Sequence, residues 1–316
     1  MTDRRVALIT GASRGLGFLI ARELAYRDYD LVICARSEEG LSPAAEQLRE
    51  SGVEVLAVPA DVGKPDEAAH VVAEAARQFG RLDMLVTNAG VIQVGPAGDM
   101  TAADYAESMD IMFWGTVHPT LAAMPLLRRS SGRILAITSV GGKLPAPHLL
   151  PYTAAKHAAV GFAEGLRVEA ARDGVSVTVA VPGLMRTGST RNAMTVGDRA
   201  AERRWFTVAA SLPVVSMDAE RAARRLVSAA LRGRPEVVLT PLAKIGTRVH
   251  ALAPNTTLRL LEVVNGLLPD PTGSTGPEPA STSGPQPAWF DRVTRFDRKA
   301  ARRWHERDDP ASRSPR

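Results

Sequence analysis

The chain has 316 residues, 45% of them hydrophobic, which is enough to bury one large core or a core with an appendage. Its single cysteine, Cys34, excludes a disulfide framework and favours a reducing compartment. The formal net charge is +5, but residues 291–316 hold nine Arg or Lys and five Asp or Glu. The remainder is therefore close to neutral, which argues against a basic nucleic-acid-binding face.

The apolar runs of the chain are short. The first begins at Val6, which leaves no room for a signal peptide. None approaches the roughly 18–20 residues of a membrane span. Histidine, cysteine and acidic residues also lack metal-ligand spacing, so no metal is expected. We therefore expect a soluble, cytoplasmic protein.

Residues 5–188 alternate between short apolar runs and helical patterns. The candidate strands, one of which follows this region, are residues 5–10, 30–35, 53–58, 83–88, 132–139, 175–181 and 236–240. Most are continuously apolar, which is typical of strands buried on both faces of a parallel sheet. The pattern predicts an α/β domain over residues 1–268, with a Rossmann-like, doubly wound parallel sheet of about seven strands and helices on both faces.

The turn after the first strand is rich in glycine. It reads Thr10-Gly11-Ala12-Ser13-Arg14-Gly15-Leu16-Gly17 and leads into a helical pattern. Without Cβ atoms the backbone can approach a pyrophosphate, whose charge then meets amide N–H groups and the positive end of the helix dipole. Because this turn lies between a strand and a helix, a dinucleotide site is favoured over a tight turn without a ligand.

The residue after the second strand bears on which dinucleotide would bind. An acid about 20 positions after the glycines would hold the ribose 2′-hydroxyl of NAD. This chain has Arg36 instead, and a guanidinium matches a 2′-phosphate that a carboxylate would repel. Arg14 can reach the same phosphate. The pair favours NADP(H) over NAD(H), with a solvated surface arginine as the alternative for Arg36.

A phenol and an amine lie four residues apart at Tyr152 and Lys156, on one face of a helix. A nearby ammonium favours the phenolate, so we expect a lowered Tyr152 pKa and a proton donor suited to carbonyl–alcohol interconversion. Ser139 ends the fifth strand, at the sheet edge where ligands of open α/β folds bind. Its hydroxyl can donate to a substrate oxygen. The tyrosine–lysine spacing alone is common by chance, whereas its combination with Ser139 and the glycine turn is specific.

The glycine spacing G-x-x-x-G-x-G, Ser139 and the Tyr152–Lys156 pair resemble the short-chain dehydrogenase/reductase family, in particular its NADP-preferring members. The resemblance is close over residues 5–188 and looser to about residue 268. It implies that Tyr152 protonates a substrate oxygen polarised by Ser139, while Lys156 bonds the nicotinamide ribose and lowers the phenol pKa.

The same resemblance implies further cofactor contacts. Asp61-Val62 is similar to the family's adenine contact, Asn88-Ala89-Gly90 to its sheet-supporting motif, and Pro182-Gly183 with Thr187 to its nicotinamide segment. The full expected cofactor set is Thr10, Gly11, Ser13, Arg14, Gly15, Leu16, Gly17, Arg36, Asp61, Val62, Asn88, Ala89, Gly90, Tyr152, Lys156, Pro182, Gly183 and Thr187.

Met112 departs from the family pattern, which usually has Asn three residues before the glycine that is Gly115 here. That Asn is credited with holding a water that connects the lysine to solvent. Either this relay is broken, or a main-chain carbonyl at a local helix kink holds the water. We favour the carbonyl, because Ser139, Tyr152 and Lys156 are all present. His118 is better explained as a surface or interface histidine than as a substitute base.

The substrate is expected to be apolar, because the sequence beside the catalytic residues is rich in Leu144, Pro145, Leu149, Leu150, Leu184 and Met185. Lipid-, steroid- and polyketide-like carbonyls or alcohols fit this bias, and residues 184–215 are predicted to form a substrate lid. Two alternatives are an acyl-thioester ketoreductase and a catalytically weak or inactive NADPH-binding regulatory or scaffold protein.

The last part of the chain differs in composition. Residues 269–288 are rich in Pro, Gly, Ser and Thr and predict a disordered linker. Residues 289–316 predict a basic amphipathic helix and tail that could dock on this domain, on another subunit or, with less weight, on an anionic membrane. The family resemblance also implies a homodimer or homotetramer, formed through the helices that carry Tyr152 and Gly115.

Overall fold

A computed structural model describes residues 4–186, 190, 192–211 and 216–279. The predicted contact of Thr187 and the predicted tail helix at 289–316 lie outside these residues. Within them the strands are β1 (Arg5–Thr10), β2 (Tyr29–Ala35), β3 (Val55–Pro59), β4 (Met84–Thr87), β5 (Gln93–Val94), β6 (Arg133–Ile137), β7 (Ser176–Val181), β8 (Leu184–Arg186), β9 (Met194–Thr195), β10 (Ser216–Asp218), β11 (Glu236–Val238) and β12 (Glu278–Pro279).

The helices of the described residues follow the strands in regular alternation. They are α1 (Gly15–Ala25), α2 (Glu38–Arg49), α3 (Pro65–Phe79), α4 (Ala102–Met109), α5 (Gly115–Ser130), α6 (Leu150–Ala170), α7 (Arg199–Ser211), α8 (Ala219–Leu231), α9 (Pro241–Leu252) and α10 (Pro254–Asn265). A π-helical turn, Asp110–Trp114, joins α4 to α5.

Seven strands form one parallel sheet in the order β11-β7-β6-β4-β1-β2-β3. This confirms the predicted Rossmann-like α/β fold. The chain moves outward from β1 to β3, then returns to β4 on the other side of β1. The switch point therefore lies between β1 and β4, and open α/β sheets bind ligands in the crevice at the carboxyl ends of such strands.

The continuous apolar runs are explained by burial on both faces of the sheet. Ala7 and Ile9 of β1 point into one core, which contains Phe18 of α1. Val6 and Leu8 point into the other core, against α3, α5 and α6. Because neither face of the strand meets water, the sequence shows no alternation of polar and apolar residues.

The predicted lid region, 184–215, is described in part and rests on a small apolar cluster. Phe206 of α7 packs there with Val94 and Ala193, and Leu149 and Trp205 border the cluster. In a separate small sheet, β9 pairs with β5 and with β12. The predicted lid region is therefore paired through β9 with β5 on one side and with β12, late in the chain, on the other.

The segment that follows α10 returns to the domain surface. Buried Asp99 accepts hydrogen bonds from the N–H groups of Thr272, at 2.9 Å, and Gly273, at 2.8 Å. The first part of the predicted linker thus makes specific contacts, because one carboxylate satisfies two successive backbone donors. Residues 280–288 of that linker lie outside the described residues. Among the described residues, no helix is long and apolar enough to cross a membrane.

Candidate active site

The glycine turn after β1 is packed too tightly to admit side chains. A Cβ on Gly17 would lie 2.1 Å from the carbonyl oxygen of Gly11 and 2.4 Å from the Asn88 Nδ2. Gly11 itself has a φ of +64°, in the left-handed region. The two glycines thus let α1 begin directly against the turn. This is the close backbone approach that the sequence predicts for a phosphate-binding turn.

Thr10 and Asn88 tie the carboxyl ends of β1 and β4 together. The Asn88 side-chain amide donates to the carbonyl oxygens of Thr10, at 3.1 Å, and Gly11, at 3.0 Å. In return, the Thr10 hydroxyl oxygen accepts from the backbone N–H groups of Asn88 and Ala89. These bonds fix the shape of the crevice at the switch point. Gly90 follows, and a Cβ there would lie 3.7 Å from Met112 Cγ.

The N-terminus of α1 faces this crevice. Arg14 is its N-cap residue, and the Arg14 side chain makes no capping hydrogen bond. Ser13 precedes it, and the uncharged first turn contains Gly15, Leu16 and Gly17. Backbone N–H groups and the positive end of the helix dipole are thereby left for an anion.

Arg36 stands exposed just past the end of β2, which pairs with β1 through Cys34 and Thr10. Arg14 is partly buried at the start of α1. Neighbouring Cys34 is buried, and burial raises the pKa of its thiol to about 12. The residues at the end of β2 thus offer a guanidinium and no carboxylate to a ligand in the crevice.

The Asp61-Val62 pair follows β3 at the same edge of the sheet. The Asp61 carboxylate accepts from Gly63 N at 3.1 Å, and the Asp61 N–H donates to Glu67 Oε2 at 2.6 Å. Val62 is buried, and a Cβ on Gly115 would lie 3.3 Å from its Cγ2. The pair therefore forms a fixed, partly apolar corner of the crevice.

Ser139 and Tyr152 meet above the turn that follows β6. The Ser139 hydroxyl oxygen accepts from Gly141 N at 3.1 Å, which leaves its proton to be donated. Burial raises the pKa of the Tyr152 phenol, and its side-chain hydrogen bond with Ser139 offsets part of that effect. The two hydroxyl groups that the sequence assigns to catalysis are thus neighbours.

Lys156 is almost fully buried one helical turn from Tyr152. Its Nζ donates to the carbonyl oxygen of Ile137, the last residue of β6, at 2.9 Å. Burial lowers its pKa to about 8. Nζ lies 5.9 Å from the centre of the Tyr152 ring. The sequence predicts that this ammonium lowers the pKa of the Tyr152 phenol. In the structure, burial of the phenol has the larger effect and raises that pKa.

Gly142 and Gly141 bring the end of β6 against α6, and sequence reasoning did not single them out. A Cβ on Gly142 would lie 2.6 Å from the carbonyl oxygen of Lys156, and one on Gly141 would lie 3.1 Å from Tyr152 Cε1. The pair of glycines that begins two residues after Ser139 was the available signal. Its meaning depends on α6 crossing at this point, which spacing along the chain does not reveal.

The turn after β7 completes the edge of the site. The carbonyl oxygen of Pro182 accepts from Val140 N at 2.8 Å, which links this turn to the one that carries Ser139. Gly183 lies against Thr240, whose Oγ1 would be 2.6 Å from a Cβ. Thr240 has a φ of +69°, an uncommon conformation for a β-branched residue. It is a second feature of the site that the sequence did not indicate.

Met112 lies fully buried in the π-helical turn that precedes α5. Such turns interrupt the regular carbonyl-to-amide ladder. The Met112 carbonyl oxygen accepts a hydrogen bond from the Thr116 hydroxyl at 2.8 Å. A carbonyl oxygen has a second lone pair, so it can still accept from a water. His118 stacks instead on the exposed ring of Trp114, at 5.1 Å between ring centres.

A buried polar triad joins α7, in the predicted lid region, to the residues just before α6. His148 Nδ1 lies 2.8 Å from Glu202 Oε1, and Trp205 Nε1 donates to Glu202 Oε2 at 2.6 Å. The Glu202 side chain is fully buried. His148 has a φ of +58° and precedes Tyr152 by four residues. No sequence pattern indicated this contact, since His148 and Glu202 are 54 positions apart.

The crevice as a whole fits a dinucleotide with a 2′-phosphate. The glycine turn and the α1 N-terminus suit a pyrophosphate, and Arg36 suits an additional phosphate. Among the described residues, no group of three or more His, Cys, Asp or Glu could hold a metal ion.

Known proteins resemble this chain over much of its length. A protein of Sesamum indicum named 11-beta-hydroxysteroid dehydrogenase A is 38% identical over 232 residues, which cover 72% of this chain and 66% of that protein. A protein of Streptomyces coelicolor whose name describes a ketoacyl reductase is 38% identical over 188 residues, 58% of this chain and 72% of the relative. Four plant relatives named as hydroxysteroid dehydrogenases are spanned by this chain over 53% to 66% of their length.

Solved structures share the fold. A variant of actinorhodin polyketide ketoreductase with NADPH has a TM-score of 0.67 and 30% identity, over 75% of this chain and 96% of that chain. An alcohol dehydrogenase from Thermococcus sibiricus, complexed with 5-hydroxy-NADP, has a TM-score of 0.62 over 74% of this chain and 95% of that chain, at 24% identity, and shares the fold alone. The family described as short chain dehydrogenase matches residues 5–196, well over half of the chain. The chain therefore belongs to the short-chain dehydrogenase family.

Proposed function

We propose that the protein is an NADP(H)-dependent oxidoreductase that interconverts a carbonyl and a secondary alcohol. The observation that carries this proposal is the meeting of Ser139, Tyr152 and Lys156 beside the glycine turn. A hydroxyl that retains its proton, a phenol and a buried amine are gathered at the carboxyl edge of the sheet. NADPH, when bound, supplies the hydride for the carbonyl carbon.

The residues of the chain supply position and protons. Tyr152 donates its phenolic proton to the carbonyl oxygen as that carbon is reduced, so the product is a neutral alcohol. The Ser139 hydroxyl donates a hydrogen bond to the same oxygen and stabilises the charge that develops there. Lys156, as an ammonium, favours the tyrosinate left behind by the proton transfer. In the oxidative direction these proton movements reverse.

We propose an apolar substrate of the lipid, steroid or polyketide class. The Leu149, Phe206 and Trp205 side chains at the lid support this assignment, because they border the catalytic helix with apolar surface. The relatives named as hydroxysteroid dehydrogenase and polyketide ketoreductase support it as well. An acyl-thioester ketone is the closest alternative, in line with the relative named as a ketoacyl reductase.

The proposal is tested by following NADPH consumption against steroid ketones, aromatic polyketide-like ketones and β-ketoacyl thioesters, with the wild type and with Tyr152→Phe. We expect turnover with an apolar ketone, loss of turnover in Tyr152→Phe, and NADPH binding that this variant retains through Lys156 and the glycine turn. Tight NADPH binding without oxidation of any substrate would instead favour a regulatory or scaffold protein.

We also propose that the protein forms a homodimer or homotetramer through α5 and α6. Gly161 and Gly165 of α6 leave open space for the approach of another helix. Leu121 of α5 and Val168 of α6 expose large apolar side chains beside them. Light scattering of the wild type and of Gly165→Trp tests this arrangement, since the bulky variant should reduce the mass of the particle.

A further inference from the structure

Helix α9 has an apolar stripe that faces away from the domain. The stripe residues are spaced three or four positions apart and are 46% to 88% exposed. They are Leu242, Ile245, Val249 and Leu252. Only Ala243 of this helix is fully buried, and Gly246 faces Leu144 at the domain side. Exposed apolar side chains in a row on one helix face are typical of a surface that meets a partner.

Helix α10 extends the same feature. Leu260, Val263 and Leu267, just past its end, are 63% to 82% exposed, and Thr257 is its one buried residue. Because this helix of 12 residues buries a single side chain, packing against its own domain adds little to its stability. The helix pair α9–α10 is thus an amphipathic element whose apolar side has no covering within the described residues.

A cluster of cations borders this helix pair. A cavity of about 580 Å³ opens between α8, β11 and α9. Six basic side chains line it, namely Arg221, Arg224, Arg225, Arg232, Arg234 and Lys244. Lys244 belongs to α9, so the cationic cluster reaches the same helix that carries the apolar stripe.

The charge of this region is strongly one-sided. Residues 219–268 contain eight Arg or Lys and three Glu. Two of these acids are engaged elsewhere, since Glu220 pairs with Arg22 and Glu236 with Lys143. The basic side chains of this region would attract an anionic partner and so favour its binding. They would repel a second surface of the same positive charge.

We propose that the α9–α10 pair, with the adjoining arginine cluster, docks the protein on the surface of an anionic lipid bilayer. Apolar helix faces that enter the headgroup region, next to cations that meet anionic lipids, are the physical requirements for such binding. A second copy is the weaker occupant, because a two-fold contact would place this patch against itself and bring the arginine clusters together.

Vesicle flotation of the full chain tests the proposal, with phosphatidylcholine vesicles that contain or lack phosphatidylglycerol. We expect the wild type to float with the anionic vesicles and to be released by added salt. Leu260→Ser/Val263→Ser should weaken this partition by about tenfold or more, because it removes inserted apolar surface. Arg224→Gln/Arg225→Gln should also weaken it by about tenfold or more, since each cation near an anionic surface contributes about fivefold.

Tyr26→Ser is the control, because it removes an exposed, largely apolar side chain at the end of α1, outside both the patch and the proposed subunit interface. It should float like the wild type. Absence of wild-type flotation, or equal flotation of the wild type and both patch variants, would overturn the proposal. So would a smaller particle mass of Leu260→Ser/Val263→Ser without vesicles, because a second copy would then cover the patch. If that variant fails to fold by circular dichroism, the exposed arginine variant decides the question.

Discussion

Glu202 Oε1 of α7 lies 2.8 Å from His148 Nδ1, within hydrogen-bond distance, and the Glu202 side chain is fully buried. His148 lies directly before the helix that carries Tyr152 and Lys156. The contact therefore fixes α7 relative to the start of α6, although neither residue belongs to the proposed catalytic group of Ser139, Tyr152 and Lys156. Its second oxygen is held by Trp205, so the carboxylate orients two aromatic side chains at once.

We predict that Glu202→Gln raises the KM for the carbonyl substrate by about tenfold and leaves kcat within a few-fold of the wild type. The amide keeps the size of the side chain but replaces charge-assisted hydrogen bonds with weaker ones. Steady-state kinetics at saturating NADPH measures the split. Trp205→Phe, which removes one donor only, should show a smaller rise. A fall in kcat with an unchanged KM would contradict a positioning role.

We predict that Met112→Ala retains most of the turnover, because the main-chain carbonyl that accepts from Thr116 is unchanged by the substitution. Loss of a buried side chain should nevertheless lower stability by about 2–5 kcal/mol. Single-turnover rates and thermal unfolding of the same preparation separate the two effects. A loss of turnover as large as that of Tyr152→Phe would show that the thioether itself is required.

Sequence reasoning predicted the sheet well because burial on both faces leaves a local signature in each strand. It could not predict the pKa of Tyr152, which depends on where a neighbouring amine points. The Lys156 Nζ is held by the Ile137 carbonyl, and burial dominates the phenol. Nor could it find the Asp99 contact with Thr272, whose partners are 173 residues apart. The composition of residues 269–288 indicates that the segment lacks regular structure on average. It does not reveal that one buried carboxylate, that of Asp99, holds the backbone at Thr272 in place.

We predict that Lys156 makes a contribution to stability that increases between pH 8 and pH 9.5. Its pKa in the folded state is about 8, below the ordinary 10.5. The unfolded chain therefore binds more protons in this window, and the free energy of unfolding rises with pH. Below pH 8 the amine is protonated in both states and the burial cost is complete.

Urea unfolding at pH 7 and at pH 9.5 measures this change in the free energy of unfolding. Lys156→Met should abolish roughly 2 kcal/mol of the rise between pH 7 and pH 9.5. A control substitution at exposed Lys64 should preserve it. Equal pH dependence of the wild type and Lys156→Met would contradict the lowered pKa.

We predict that Arg36→Asp raises the KM for NADPH by about tenfold to a hundredfold and improves the use of NADH. The substitution replaces a guanidinium that can bond a 2′-phosphate with a carboxylate that repels it and accepts from a 2′-hydroxyl. Arg172→Asp, on the surface after α6, is the matched control for the charge change. Similar losses with both cofactors would indicate that Arg36 serves the fold rather than the choice of cofactor.

The pairing of β12 with β9 carries a practical consequence for anyone who shortens this chain. The composition of residues after 268 suggests that they could be deleted without harm. Their deletion would nevertheless remove edge strand β12 from its pairing with β9. It would also leave the Asp99 carboxylate without the hydrogen bonds from Thr272 and Gly273. Such a truncate would be expected to bind its dinucleotide while handling substrates poorly. The late segment would in this sense belong to the substrate-binding half of the proposed oxidoreductase.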